Sequence, residues 1–329
     1  MNFIQKIDQQ NTPNSLNSNL ALSSFIDRSD CLWIGTSSGG LNYLDLNQKL
    51  FYTLKHNSGQ LNSLSGNNVR TILEDGDDLW IGTYAQGLNL YNLKTKQFSF
   101  LNTKSNPVTL KDDEITALTL DEDHNLWIGS RTGIEILSPD RKKLLYPPGY
   151  DEFPNFYVST LAKDYFGNIW FGNLDNFGVI WKNAKGQYSV KIYTEGYFIL
   201  PDPSKPQLFV SSRHGLKRIL VDSEGNITQT FNYNASAEKG SINSDYVTAL
   251  TRENDSIYWV GTIGSGFNKL SLDIKDNSYA FTSFGNQSGD YNDIESVEID
   301  KNGDVWMGGN GLLHLNPETQ KIIRYNKDD

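Results

Sequence analysis

Four histidines, one cysteine and a set of acidic turns are the residues of this chain that could do metal or bond-making chemistry. His56, His124, His214 and His314 share no metal-ligand spacing. His124 stands in a turn and His314 alternates within a strand, as surface or structural histidines do. Cys31 is the single cysteine, so no intramolecular disulfide can form, which fits either the cytosol or a periplasm. There is no Gly-x-Ser-x-Gly elbow, phosphate loop or His-Glu-x-x-His. Five turns resemble calcium loops at first sight: those opening at Asp75, Asp121, Asp164, Asp222 and Asp300. The EF-hand spacing, with its closing glutamate and flanking helices, is absent. Asp-x-x-Gly-Asn is equally what a hairpin turn requires, and that is the reading adopted. No catalytic residue, metal or cofactor is assigned.

A different chemistry is offered by short segments that differ from one another between nearly identical flanks. They include Thr36-Ser37-Ser38, Tyr84-Ala85-Gln86, Arg131-Thr132, residues 173–177, Arg213-His214, Ile263-Gly264-Ser265 and Gly309-Asn310. Tyr84, Arg131, Asp175, Asn176, Arg213 and His214 would suit a carbohydrate, through ring stacking and planar hydrogen bonding. The alternative is that they are solvated loop residues contacting nothing. Variable loops on a rigid scaffold are where binding usually resides.

The scaffold is a repeat. Leu79-Trp80-Ile81-Gly82-Thr83, followed by Gly87-Leu88, recurs as Leu32-Trp33-Ile34-Gly35-Thr36, Leu126-Trp127-Ile128-Gly129-Ser130, Ile169-Trp170-Phe171-Gly172-Asn173, Tyr258-Trp259-Val260-Gly261-Thr262 and Val305-Trp306-Met307-Gly308-Gly309. A worn copy is Leu208-Phe209-Val210-Ser211-Ser212. The aromatic markers 33, 80, 127, 170, 209, 259 and 306 are 47, 47, 43, 39, 50 and 47 residues apart. Seven units of this length, each divisible into four short strands, predict an all-β, seven-bladed propeller with four antiparallel strands per blade, filling residues 1–329 as one domain. In the second copy the strands are expected at 69–74, 79–83, 87–92 and 97–101. The second strand is apolar on both faces and must be covered on both, so each of the six tryptophans should lie between blades. A small residue recurs in the first strands (Ser24, Thr71, Ala117, Thr160, Ala249, Ser296), as an innermost strand near the axis requires.

The fifth repeat is aberrant. Pro201-Asp202-Pro203-Ser204-Lys205-Pro206 replaces the usual turn, and such prolines belong in a loop or at a sheet edge. Both ends of the chain read as fourth strands, residues 1–8 and 320–326, which is one too many. The expectation is that Phe3 to Ile7 pairs with Leu312 to Leu315 to close the ring, with Lys321 to Tyr325 as an outermost addition.

The formal net charge of -10 argues against nucleic acid and anionic lipid as partners, and no apolar run is long enough for a membrane span. The pattern Asn62-Ser63-Leu64 through Asn68-Val69, then Asp75 to Thr83 and Gly87-Leu88, resembles the two-component regulator propeller repeat; Gly240-Ser241-Ile242 through Tyr246-Val247 is a second good copy. The resemblance implies the extracytoplasmic sensor part of a hybrid two-component system, of a kind that often responds to glycan fragments. It implies a periplasmic location, or a cytoplasmic one for a free-standing relative. An oligosaccharide would be the ligand, and an adjoining propeller or dimer partner the contact. Any kinase activity would lie in parts outside this chain. The motif itself is structural and transfers no ligand residues. An interaction propeller without small ligand, or a propeller lyase or hydrolase, are the alternatives.

Overall fold

Local sequence builds each sheet and packing between sheets builds the ring. The computed structural model describes residues 4–5, 16–46, 50–147, 156–173, 175–183, 185–284 and 292–325, none of them helical. Seven antiparallel sheets span residues 21–54, 69–101, 115–145, 160–194, 199–233, 247–284 and 294–325, here blades 1 to 7. In blade 2 the strands are Val69–Asp75, Asp78–Thr83, Leu88–Asn92 and Phe98–Leu101, so the expected hairpin is tighter than read, turning on Gly76 at φ +67° and Asp77. The first strand of each blade is innermost. That of blade 7 packs on that of blade 1, so the ring is closed.

All six motif tryptophans are buried, none more than 4% exposed. Each packs into the following blade: Trp80 with Ile115, Leu118 and Ile128 of blade 3, and Trp306 with Ala21, Leu32 and Ile34 of blade 1. The glycine two residues later is required by this closeness. A Cβ on Gly82 would lie 2.6 Å from Thr71 Cγ2 and 2.8 Å from Ile115 Cγ2 of the next blade.

The acidic turns prove to have a second purpose. In blade 3, Asp121 Oδ1 accepts the backbone N–H groups of Asp123 and Asn125, both at 2.9 Å, while Oδ2 accepts the indole N–H of Trp127 at 2.9 Å. Asp27, Asp164 and Asp300 do the same for Trp33, Trp170 and Trp306, and Glu253 holds Trp259. One oxygen caps the turn and the other satisfies a buried donor, so these carboxylates are engaged by protein groups. Asp222 has no indole to hold and bonds only within its turn.

Blade 5 shows what replaces the tryptophan. Phe209 is buried against Tyr258 at 4.6 Å between ring centroids. Asp202, lacking an indole, takes the side-chain amide of Gln207 at 2.9 Å. Gln207 in turn accepts from the buried Arg218, which lies 4.1 Å over the Phe231 ring and donates to Asn277 of blade 6. Pro201 ends the innermost strand, an edge where a missing N–H is tolerated.

The ring does not close as expected. The fourth strand of blade 7 is Lys321–Tyr325, antiparallel to Gly311–Asn316, and the segment Ile4–Gln5 adds outside it as a parallel fifth strand, Ile4 opposite Ile323. Phe3 and Ile7 lie outside the described residues. A short hairpin brings Lys321–Tyr325 to its partner at small loop-closure cost, whereas the N-terminus would have to return from some 300 residues away. Closure itself is a matter of packing, with Trp306 in the blade 1 core and Gly311 N–H donating to Asn19 C=O at 2.5 Å.

Candidate functional site

The innermost strands bring seven equivalent residues to the mouth of an axial channel. In five blades the pairing of first and second strands skips one residue, leaving a β-bulge: Leu22, Arg70, Thr116, Thr248 and Glu295. A bulge re-aims a side chain that regular pleating would turn aside. Ser159 and Tyr197 occupy the corresponding places in blades 4 and 5, each one residue before the position opposite Gly172 and Ser211. All seven line a cavity of about 300 Å³ on the axis. The small residues read from the sequence line it too. Register corrects one of them: Ser23, not Ser24, lies opposite the second-strand glycine of blade 1, as Thr71, Ala117, Thr160, Ala249 and Ser296 do in theirs.

Three of the seven mouth residues are structural. Thr116 Oγ1 donates to Val158 C=O of blade 4, Ser159 Oγ to Tyr197 C=O of blade 5 at 2.9 Å, and Thr248 Oγ1 to Ile294 C=O of blade 7 at 2.5 Å. At the same position blades 2 and 7 carry Arg70 and Glu295. Arg70 makes no ion pair or hydrogen bond among the described residues, and its Nε is buried without a partner. Its guanidinium lies 4.9 Å over the Tyr84 ring. Glu295 likewise has no hydrogen-bond partner among them. Burial raises its pKa, the nearby Asp293 charge adds to this, and Arg70 opposes it. Tyr157 and Tyr197 complete the wall; burial pushes the Tyr197 phenol up to about 12.

Deeper in the channel, blade 7 meets blade 1 along a polar seam. Two residues beyond each bulge, blades 2, 3, 4, 6 and 7 place Ile72, Leu118, Leu161, Leu250 and Val297 against the preceding blade's aromatic. Blade 1 has Ser24 there, beside Ser296 and Glu298 of blade 7. Both serine hydroxyls are buried without partners among the described residues. The Glu298 carboxyl has none either, and burial alone pushes it up to about 8. The first-strand positions thus carry more charge near the axis than Ser, Thr and Ala suggest.

Of the six loop residues read from the sequence, none lines the axial cavity, and Tyr84 reaches its edge through Arg70. Tyr84 stacks on Arg70 and also walls an adjoining cavity of about 380 Å³ with His56, Asn67, Asn68 and Gln86. Arg131 lies 3.8 Å from the carboxylates of both Asp112 and Glu114. The other four lie away from both cavities. Asp175 and Asn176 donate backbone N–H groups to Asn173 Oδ1, at 2.8 and 2.6 Å, which shapes their loop. Arg213 and His214 are exposed, and the His214 N–H bonds to Ser212 Oγ at 3.0 Å. His314 is structural: it stacks on Trp306 at 4.1 Å and bonds Asp304 Oδ2 through Nε2 at 2.7 Å. No histidine lines the channel, and the described residues hold no cluster of three or more His, Cys, Asp or Glu fit for a metal. The mouth presents one cation, one anion and flanking phenols.

Fold and site together define a seven-bladed propeller with a ligand-sized axial mouth. Residues 63–85 and 109–132 match the family described as two component regulator propeller, the first of them within the copy that carries the resemblance. No curated protein matches the sequence. Among solved structures, the chain is similar to the extracellular domain of BT3049, described as a hybrid two component system of B. thetaiotaomicron (20% identity, TM-score 0.53, over 96% of this chain and 47% of that one). It is also similar to a streptogramin B lyase (14%, TM-score 0.64, 90% and 93%) and to virginiamycin B lyase from Staphylococcus aureus (15%, TM-score 0.54, 78% and 84%). At these identities the likenesses show the fold. The chain spans about half the length of the first of these structures.

Proposed function

We propose that this chain is a non-catalytic ligand-sensing propeller, the extracytoplasmic sensor part of a hybrid two-component regulator that responds to a glycan fragment. The observation that carries the reading is the channel mouth. Near residues that match the regulator-propeller family, Arg70, Glu295, Tyr84, Tyr157 and Tyr197 converge, and among the described residues Arg70 and Glu295 have no hydrogen-bond partner and no nucleophile there is paired with a base. Phenol rings and planar charged groups are the means by which proteins hold sugars. Arg131, and the loop residues Asp175, Asn176, Arg213 and His214, would extend that surface outward.

A ligand signals only if it binds two arrangements of the receptor unequally. The blades interlock through tryptophans and inter-blade hydrogen bonds, so the change would lie in how this propeller packs on an adjoining one or across a dimer. The periplasm is the location this role requires. The test is calorimetry of the chain against a panel of oligosaccharides, with light scattering for self-association. Micromolar binding to an oligosaccharide supports the reading. Turnover of a small molecule, with neither binding nor association, overturns it in favour of a lyase or hydrolase.

A further inference from the structure

We propose that the sugar taken at the channel mouth is acidic: a hexuronate, its carboxylate on Arg70 and a pair of its hydroxyls on Glu295. This rests on the glycan-sensing reading and adds the class of ligand. It begins from the ring of bulge residues. Three blades use that position to tie themselves to the next blade with a hydroxyl. Leu22 is apolar there and Tyr197 brings a phenol. Only Arg70 and Glu295 bring charge to it, and they stand on either side of blade 1.

Both line the same cavity, yet they form no ion pair with each other. A guanidinium whose Nε is buried and unpartnered has lost hydration without regaining a hydrogen bond, which the fold tolerates at a cost. A planar carboxylate matches its fork and restores that loss. The remaining carboxylates on that side are engaged elsewhere: Asp112 and Glu114 by Arg131, and Asp293 by the backbone N–H of Gly264 at 2.8 Å. Glu295 accepts but does not donate while ionised, so it faces hydroxyl groups. Tyr84, held by Arg70, and Tyr157 and Tyr197 supply ring faces. A cavity of about 300 Å³ is at the small end of ligand sites, which suits one terminal sugar rather than a chain.

The test is calorimetry with di- to tetrasaccharides of galacturonate and glucuronate, each beside its neutral galactose or glucose counterpart. Wild type is compared with Arg70→Gln and Arg70→Lys, with folding checked by thermal unfolding. The expected result is uronate binding at least about tenfold tighter than neutral binding, a preference lost in Arg70→Gln and weakened in Arg70→Lys, which keeps the charge without the fork. Should Arg70→Gln fail to fold, Arg70→Lys carries the comparison. Neutral oligomers binding as tightly as uronates, or a folded Arg70 variant with unchanged uronate affinity, overturns the acidic ligand and leaves sensing intact. Binding of neither series overturns both.

Discussion

Replacing Glu298 by glutamine should make the propeller more stable, and more so as pH rises. The carboxyl sits in the seam between blades 7 and 1 with no hydrogen-bond partner among the described residues, and burial pushes it up to about 8 from the ordinary 4.5. The folded state therefore holds this proton over a range in which the unfolded chain has released it. Stability from this group is complete below about pH 4.5 and is lost as pH rises through 8. By linkage the loss is about 1 kcal/mol at pH 5, about 3 at pH 7 and about 4 at pH 8. These are upper limits, because the channel admits water to part of the side chain. Glutamine keeps the shape and removes the charge. Urea unfolding of both proteins at pH 5, 7 and 8 gives the difference directly, since the other titrating groups are common to the two. The expected difference grows by about 1–3 kcal/mol across that range. A difference that is flat within about 0.5 kcal/mol would refute the claim that this carboxyl is desolvated without compensation.

Trp80→Ala should cost about 3–5 kcal/mol, read as a lower urea midpoint, because the indole fills the interface between blades 2 and 3. Thermal unfolding at the wild-type midpoint would contradict that packing role. Asp164→Ala should cost about 2–4 kcal/mol, since it strips the caps of Phe166 and Asn168 and leaves the Trp170 indole N–H buried and unpaired. Asp222→Ala, whose turn has no indole to hold, should cost about 1 kcal/mol or less by the same measurement, and equal losses would argue against the indole bond as the source of the difference.

The sequence alone determined the architecture, because a propeller is written locally. The apolar pentapeptide around each tryptophan demands cover on both faces, and the turns that follow it join strands a few residues apart, so blade number, strand order and tryptophan burial were all legible at short range. The purpose of the acidic turns was half legible. The turn geometry shows in Asp-x-x-Gly-Asn, whereas the indole bond depends on two side chains meeting across a hairpin. Closure was misread because two strands compete for one edge, and loop entropy rather than residue type favours the near one. The channel mouth was decided by tertiary structure alone. Arg70 and Glu295 are 225 residues apart, and nothing in either segment marks them as partners. A bulge changes the parity of a strand, so the alternation that sorts its residues into faces places them wrongly by one. Only when the seven inner strands close around the axis do these residues share a cavity, three bonding to neighbouring blades and two bearing charges with no ion-pair partner among the described residues.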